Sequence, residues 1–191
     1  MTDFYDLQLC YADDAFSISG VEQNYDLPDR YAIHCQPETN LEAFFSNFVF
    51  KVNQKGKKQS FLANNLGWII VDSKFLDHDL VKTFGREGCT IWPMPSNLIE
   101  IDGELENYRI LLVRHAVDCV DYSRSRIEWG IAHDGHRYIA SFQKLVIDPA
   151  RAGSLNICRL EPFPSIVLIS HWYFERLTRS NLSGWRGVHV T

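Results

Sequence analysis

Hydrophobic positions along the chain fall into short runs that alternate between helical and strand spacing. Leu41, Phe44, Phe45 and Phe48 share one face of a helical projection, and Thr39 and Glu42 stand where a capping box would satisfy the first amides. The spacing predicts an amphipathic helix over 40–50, followed by a polar turn through 51–58 around Gly56. The 38 residues before Thr39 carry apolar pieces broken at 17–20 and 27–29, which predicts loops with one or two short strands.

From Gly67 the pattern becomes strand, helix, strand. Ile69, Ile70 and Val71 form a run suited to a buried strand, and Asp72 or Ser73 can cap the next helix. Phe75, Leu76, Leu80, Val81 and Phe84 recur at helical spacing, Gly85 and Gly88 can end the helix, and Cys89 to Trp92 begins a second strand. Pro93 and Pro95 then stop any regular continuation. The same plan returns near the end. An apolar strand over 166–169 reaches Ser170, a helix carries Trp172, Tyr173, Phe174 and Leu177, and Ser183 and Gly184 precede a final strand. Aligning Ser73 with Ser170 also aligns Leu80 with Leu177 and Lys82 with Arg179, a weak likeness that either duplication or chance would give.

Between these units, 108–113 reads as a strand and 126–143 as a hairpin. Asp134 and Gly135 stand where a two-residue turn needs positive φ. Pairing outward sets Ile131 opposite Tyr138, Trp129 opposite Ala140 and Ile127 opposite Phe142 on an apolar face. Glu128 then meets Ser141 and Arg126 meets Gln143 on a polar one. Leu145, Val146 and Ile147 end at a turn made by Asp148 and Pro149. Strands mixed with few helices predict an α+β fold: a mostly antiparallel or mixed sheet, a few amphipathic helices and two strand–helix–strand units.

With 191 residues and 46% apolar composition, the chain can bury one substantial core, or a core with a small appended subdomain. Twelve Phe, eight Tyr and five Trp supply either large core side chains or exposed anchors for a partner. No stretch approaches the roughly 20 apolar residues that span a bilayer, so no membrane partner is expected. The first residues lack the basic and apolar regions of a secretory signal. Cys10, Cys35, Cys89, Cys119 and Cys158 are scattered, without a Cys-x-x-Cys pair, which predicts reduced thiols and a cytoplasmic protein.

Charge sharpens this picture. Residues 1–29 contain Asp3, Asp6, Asp13, Asp14, Glu22, Asp26 and Asp29 and no Lys or Arg, a charge of −7 in a chain whose total is −5. Three readings stay open. The acids are neutralised within the fold by Lys51, Lys55, Lys57 and Lys58, or they form a solvated arm, or they dock a basic partner.

Catalytic signatures are weak. His133 and His136 flank the hairpin turn, but a zinc site needs three or four ligands. His115 precedes Cys119 by four residues, yet Asp118 and Asp121 disfavour a thiolate, so Cys119 reads as a buried thiol. Asp121 reads as an acceptor for the turn after it. Gly-rich phosphate loops are absent, and basic residues are too few for ordinary nucleic-acid binding. No catalytic residue, metal site or cofactor is expected.

One ordered set of features resembles a known family. Val117, Asp118 and Asp121 lie in one segment, followed by Ser125, then Ile157 and Arg159 before a Pro-bounded apolar strand ending in Ser170, then Leu182, Ser183 and Gly184. The order is similar to a bacterial polymorphic-toxin immunity protein family, immunity group eleven, over roughly 67–190. Trp185 departs from the pattern, which often has a smaller or different residue there. The resemblance makes 67–191 the family's α+β domain and 1–66 a family-unmatched acidic segment with a helix, the two together compatible with one compact domain. It marks Asp118, Asp121, Ser125, Arg159, Ser170 and Gly184 as scaffold, with Arg159 in an ion pair, a helix-end contact or a partner contact. It implies a non-enzymatic protein that binds a cognate secreted toxin, commonly a nuclease delivered by contact-dependent or type VI secretion, and covers its active site. An enzyme of unknown class using Asp118 and Asp121, or an adaptor with a non-toxic partner, are the competing readings. Such proteins diversify at the contact surface, which directs attention to the acidic first 29 residues and exposed aromatics. Neither the toxin nor the oligomeric state can be read from the chain.

Overall fold

Strand β1 (Phe4–Leu9) lies between the last two strands of the chain, antiparallel to β12 (Val167–Ser170) on one side and β13 (Trp185–Val190) on the other. The computed structural model describes residues 3–11, 13–22, 33–34, 37–46, 48–84, 88–94, 107–131, 133, 135 and 137–190. With β11 (Ile157–Leu160) and β8 (Ala116–Val117), these strands make a five-stranded sheet in the order β13-β1-β12-β11-β8. A second sheet takes β7 (Arg109–Val113) between β5 (Ile69–Val71) and β6 (Cys89–Pro93), antiparallel to both. The two strand–helix–strand units therefore share a topology: two parallel strands flank an antiparallel strand drawn from elsewhere in the chain. The fold is α+β, as the hydrophobic pattern predicts.

Local chemistry explains the helices. Ser170 accepts from the Tyr173 amide and caps α4 (His171–Arg179), whose Tyr173 and Leu177 are buried. Asp72 caps α2 (Ser73–Leu76) in the same way through the Phe75 amide. The single helix expected through Phe84 is broken, however. His78 is extended, and its Nδ1 accepts from the Leu80 amide, starting a separate 3-10 turn over Asp79–Thr83. Gly85 and Pro95 lie outside the described residues.

The helix expected over 40–50 is also shorter. It ends as α1 (Leu41–Phe45), and β3 (Phe48–Gln54) follows. Phe48 fits both spacings, but Phe48, Phe50 and Val52 alternate toward the core, and pairing with β2 (Ser17–Glu22) satisfies the backbone there. The capping box does not form: Asn40 takes the cap position without a side-chain bond. β2 also pairs in parallel with β4 (Ala63–Asn64). Beside it, the buried Asn64 side chain donates to the Leu62 and Trp68 carbonyls and accepts from the Leu66 and Trp68 amides, closing the turn into β5.

The aromatic load is largely core. Trp68 is fully buried among Phe44, Phe45, Phe48 and Phe50, with edge contacts to Phe45 and Phe48. A second cluster joins the two main sheets, bringing Phe61, Val71, Phe75 and Leu111 against Leu7, Ile169, Tyr173 and Leu177. Trp185 belongs to its edge, with its indole N–H on the Leu182 carbonyl.

The hairpin forms from β9 (Arg126–Ile131) and β10 (Arg137–Lys144). Ile127 faces Phe142 and Glu128 faces Ser141, as expected. The outer pairs differ, because Trp129 meets Ile139, Ile131 meets Arg137 and Arg126 meets Lys144. The register shifts between Ile139 and Ser141, and this places Ile139 rather than Ala140 against the body. Asp134 and His136 lie outside the described residues. After the hairpin, Asp148 caps α3 (Pro149–Ala152).

Ser183 and Gly184 lock the end of the chain to its first half. The Ser183 carbonyl accepts from Phe61, and the Gly184 carbonyl accepts from Cys10. Gly184 has φ +89°, and a Cβ there would lie 2.2 Å from the Phe61 carbonyl oxygen. Gly184→Ala should therefore cost about 2–4 kcal/mol, combining left-handed strain with a backbone collision. Denaturant unfolding checks this, and a midpoint equal to wild type would refute the lock.

A second prediction concerns His34, which is 3% exposed. Its Nδ1 accepts from the Val113 amide, and burial, aided by the charges of Arg159 and Arg114, holds its pKa well below the ordinary value. A depressed native pKa means that below about pH 6.5 the unfolded chain takes up a proton that the native state refuses. This penalty is absent above pH 7 and grows as pH falls, reaching about 1 kcal/mol at pH 5.5. Urea midpoints at pH 7.5 and 5.5 should fall further for wild type than for His34→Gln; equal falls would assign acid sensitivity to other groups.

Candidate functional site

Among the described residues, Asp3, Asp6, Asp13 and Asp14 belong to the folded body and not to an arm. Asp3 and Asp6 belong to the edge and middle of the five-stranded sheet, held by the pairing of β1. Asp3 is exposed, its carbonyl accepting from the His171 amide and its carboxylate standing 4.0 Å from His189 Nε2. Asp13 and Asp14 are exposed on a turn whose backbone docks on the basic segment. The Asp14 carbonyl accepts from the Lys57 amide, and the Gln54 side chain donates to the Asp13 carbonyl. Glu22 lies at the end of β2 opposite Phe48, while Asp26 and Asp29 lie outside the described residues. The acidic and basic segments thus meet through main-chain groups, with the carboxylates of Asp13 and Asp14 left facing solvent.

Asp6 differs from its neighbours in sequence. It is half-buried, and Gln8 Nε2 donates to its Oδ2 at 2.7 Å. Arg186 in turn holds Gln8 Oε1 through Nε and Nη2 at 3.0 and 2.7 Å. Burial pushes the Asp6 carboxyl up, against the opposing effects of the Gln8 hydrogen bond and the Arg186 charge. The carboxylate reaches a cleft of about 450 Å³ between the sheet face and the hairpin, lined in part by Tyr11, Ser141, Phe142, Phe163 and Ser165. Sequence reading placed Asp6 only by charge, because the cleft is assembled from segments over 100 residues apart.

The Asp118 to Ser125 segment carries structural bonds. Asp118 pairs with Arg151 at 2.9 Å and accepts from the Tyr122 hydroxyl, while Arg151 also donates to the Val120 carbonyl. Asp121 accepts from the Ser123 hydroxyl at 2.6 Å and from the Ser123 and Arg124 amides, which holds its carboxyl below the usual range. Ser125 Oγ accepts from the Val146 amide and donates to the Val146 carbonyl. These bonds staple 118–125 to 146–151. His115 is exposed and packs on Gly88, whereas Cys119 is fully buried, so no Cys–His pair is assembled.

Arg159 is buried on β11, and its guanidinium donates to the Pro164 carbonyl, closing the turn into β12. This is a loop contact, a role beyond the ion pair, helix-end contact and partner contact that the sequence left open. Ser170 donates to Asn156 Oδ1 while capping α4. His133 is exposed, and among the described residues no three His, Cys, Asp or Glu side chains gather as a metal site.

Exposed aromatics lie at Tyr122, on α4, where Arg176 stacks 4.4 Å over Trp172, and on the hairpin, which adds the exposed Ile131. The hairpin's inner part, Ile127, Ile139 and Phe142, packs on or near the core, but Trp129 is 44% exposed, Tyr138 50% and Ile131 75%. The Arg137 guanidinium stacks 4.4 Å over Trp129, and Tyr138 lies across Gly130, where a Cβ would stand 2.4 Å from its ring. Sequence alternation assigned Trp129 to a covered face; a two-stranded hairpin longer than the surface beneath it leaves the outer residues uncovered. Tyr11 is exposed too, its hydroxyl fixed on the Asn64 carbonyl.

Comparison with known proteins places these features. A model of the Immunity protein family (Imm11) matches residues 13–190, a wider span than the 67–190 stretch that carries the resemblance. No curated protein matches the chain. Immunity proteins bind cognate toxins and neutralise them, typically as inhibitors without enzymatic activity. No helix among the described residues is long and apolar enough to cross a membrane.

Proposed function

Because the chain belongs to the Immunity protein family (Imm11), we propose that it protects the producing cell by covering the active site of a cognate secreted toxin. The toxin is delivered by contact-dependent or type VI secretion and met in the cytoplasm, and a basic nuclease suits the charge of this surface. The observation that carries this reading is the hairpin's outer face, where Trp129, Ile131 and Tyr138 stand exposed beside Arg137. Trp, Tyr and Arg are the side chains that dominate interface energetics, because they bury large, stiff surfaces around a polar tip.

Charge supplies the second half of the reading. Asp3, Asp13 and Asp14 are exposed carboxylates on the folded body and attract a basic partner before contact. A stable interface buries about 1,600 Å² in total, so the hairpin forms its centre and adjoining surfaces its rim. The Asp118 and Asp121 carboxylates are engaged in turn and staple bonds, which weighs against the enzyme reading.

The toxin encoded beside this gene provides the test. Co-expression should restore growth, and Trp129→Ala with Tyr138→Ala should speed dissociation about 100-fold at an unchanged Tm. Replacing Asp3, Asp13 and Asp14 by Lys should slow association and flatten its salt dependence. Killing that continues in cells holding abundant folded protein would end the proposal. Full protection by the double alanine variant would move the interface off the hairpin.

A further inference from the structure

We infer that the cleft over Asp6 receives one arginine side chain of the bound toxin, an inference that rests on the immunity reading. The floor of the cleft is the sheet face bearing Asp6 and Gln8, and its walls include Phe142 and Phe163, whose rings meet edge to face at 5.7 Å. Among the described residues lining it, Asp6 is the only Asp, Glu, Lys or Arg. The Arg186 guanidinium is hydrogen-bonded to Gln8 Oε1, so its charge acts on Asp6 from beyond the Gln8 side chain, whose amide donates to the carboxylate. The Gln8 amide, the Arg186 charge and the Val167 backbone all favour the charged form of this half-buried carboxylate, yet burial still pushes its pKa up.

The chemistry of the walls selects the cation. A guanidinium is planar, is less strongly hydrated than an ammonium, stacks on aromatic faces and offers several donors in one plane. Asp6 can accept from it at the floor, Phe142 and Phe163 can flank it, and the Ser165 hydroxyl can accept at the rim. The cleft also adjoins the proposed interface. Ser141 and Phe142 lie on β10, the strand that presents Arg137 and Tyr138, and exposed Tyr11 borders the opposite side. A toxin seated on the hairpin would bring its side chains to this opening.

The experiment has a probe arm and a toxin arm, both on the full chain. Titration of isotope-labelled protein with N-acetyl-argininamide should shift the amide signals of Gln8, Tyr11, Phe142 and Ser165. Asp6→Asn should abolish these shifts, and the lysine analogue should produce smaller ones. Toxin affinity should fall at least ~10-fold in Asp6→Asn and again in Ser165→Trp, which fills the opening without touching the carboxylate. Both variants should retain the wild-type unfolding midpoint, and Ser165→Trp decides the matter if Asp6→Asn does not fold. Absent shifts at the cleft overturn the inference. Unchanged toxin affinity in the folded variants overturns it too, while leaving the immunity reading intact. A wild-type chain that binds no toxin ends both.

Discussion

The insertion of residues 4–9 between the two strands nearest the chain's end is the constraint on which the rest of the molecule depends. β1 pairs through Phe4, Tyr5 and Asp6 with β12, and along its whole length with β13, so neither late strand completes its ladder without it. Alternation along β1 then fixes both faces of the sheet. Tyr5, Leu7 and Leu9 turn toward the cluster shared with the second sheet and α4, while Phe4 turns toward the opposite cluster. Each fully buried side chain of this kind contributes roughly 1.5–3 kcal/mol, enough to offset the entropy of closing so long a loop. Asp6 and Gln8 share the face of Phe4, beyond the part that the hairpin covers, and the cleft exists for that reason.

The second sheet is tied to the first by a cluster and a lock. Apolar contact between Phe61, Val71 and Phe75 on one side and Ile169, Tyr173 and Leu177 on the other is non-directional and would tolerate sliding. Hydrogen bonds from Phe61 to the Ser183 carbonyl and from Cys10 to the Gly184 carbonyl remove that freedom. The close approach of the two backbones is what requires a residue without Cβ at position 184. The shared topology of the two strand–helix–strand units reflects a common physical solution. Each pair of parallel strands leaves a gap, filled in one unit by a strand that precedes it in the chain and in the other by a strand that follows it.

Legibility in the sequence tracked the distance over which each feature is determined. The cap at Ser170, the turn at Asp121 and the strands around Ile70 and Leu168 were readable because neighbours within four residues decide them. Phe48 was misread because it satisfies helical and strand spacing equally, and only its distant partner on β2 chooses between them. The break at His78 was missed because a histidine cap carries a weak signal, and the shift near Ala140 because strict alternation contains no extra residue. The acids of 1–29 are legible by charge alone, which leaves three readings open, because the pairing that makes residues 4–9 an internal strand lies more than 150 residues away. Asp6 is legible only as one of seven candidate docking acids, because no local pattern brings Phe142, Phe163 and Tyr11 around it.

A division of labour between scaffold and surface arises from which polar groups are already engaged. Asp118, Asp121, Ser125, Arg159 and Ser170 each make internal hydrogen bonds, and Gly184 offers only its backbone. Redirecting any of them to a partner would break a bond inside the fold, with little net gain from the exchange. They can identify a family without taking part in its recognition. The outer hairpin side chains of Trp129, Ile131 and Tyr138 and the carboxylates of Asp13 and Asp14 lie at the surface instead, so substitutions there leave the core in place. Strand pairing sets that separation here: Arg159 and Ser170 are held within the five-stranded sheet, whereas the outer hairpin residues extend past the core they cover.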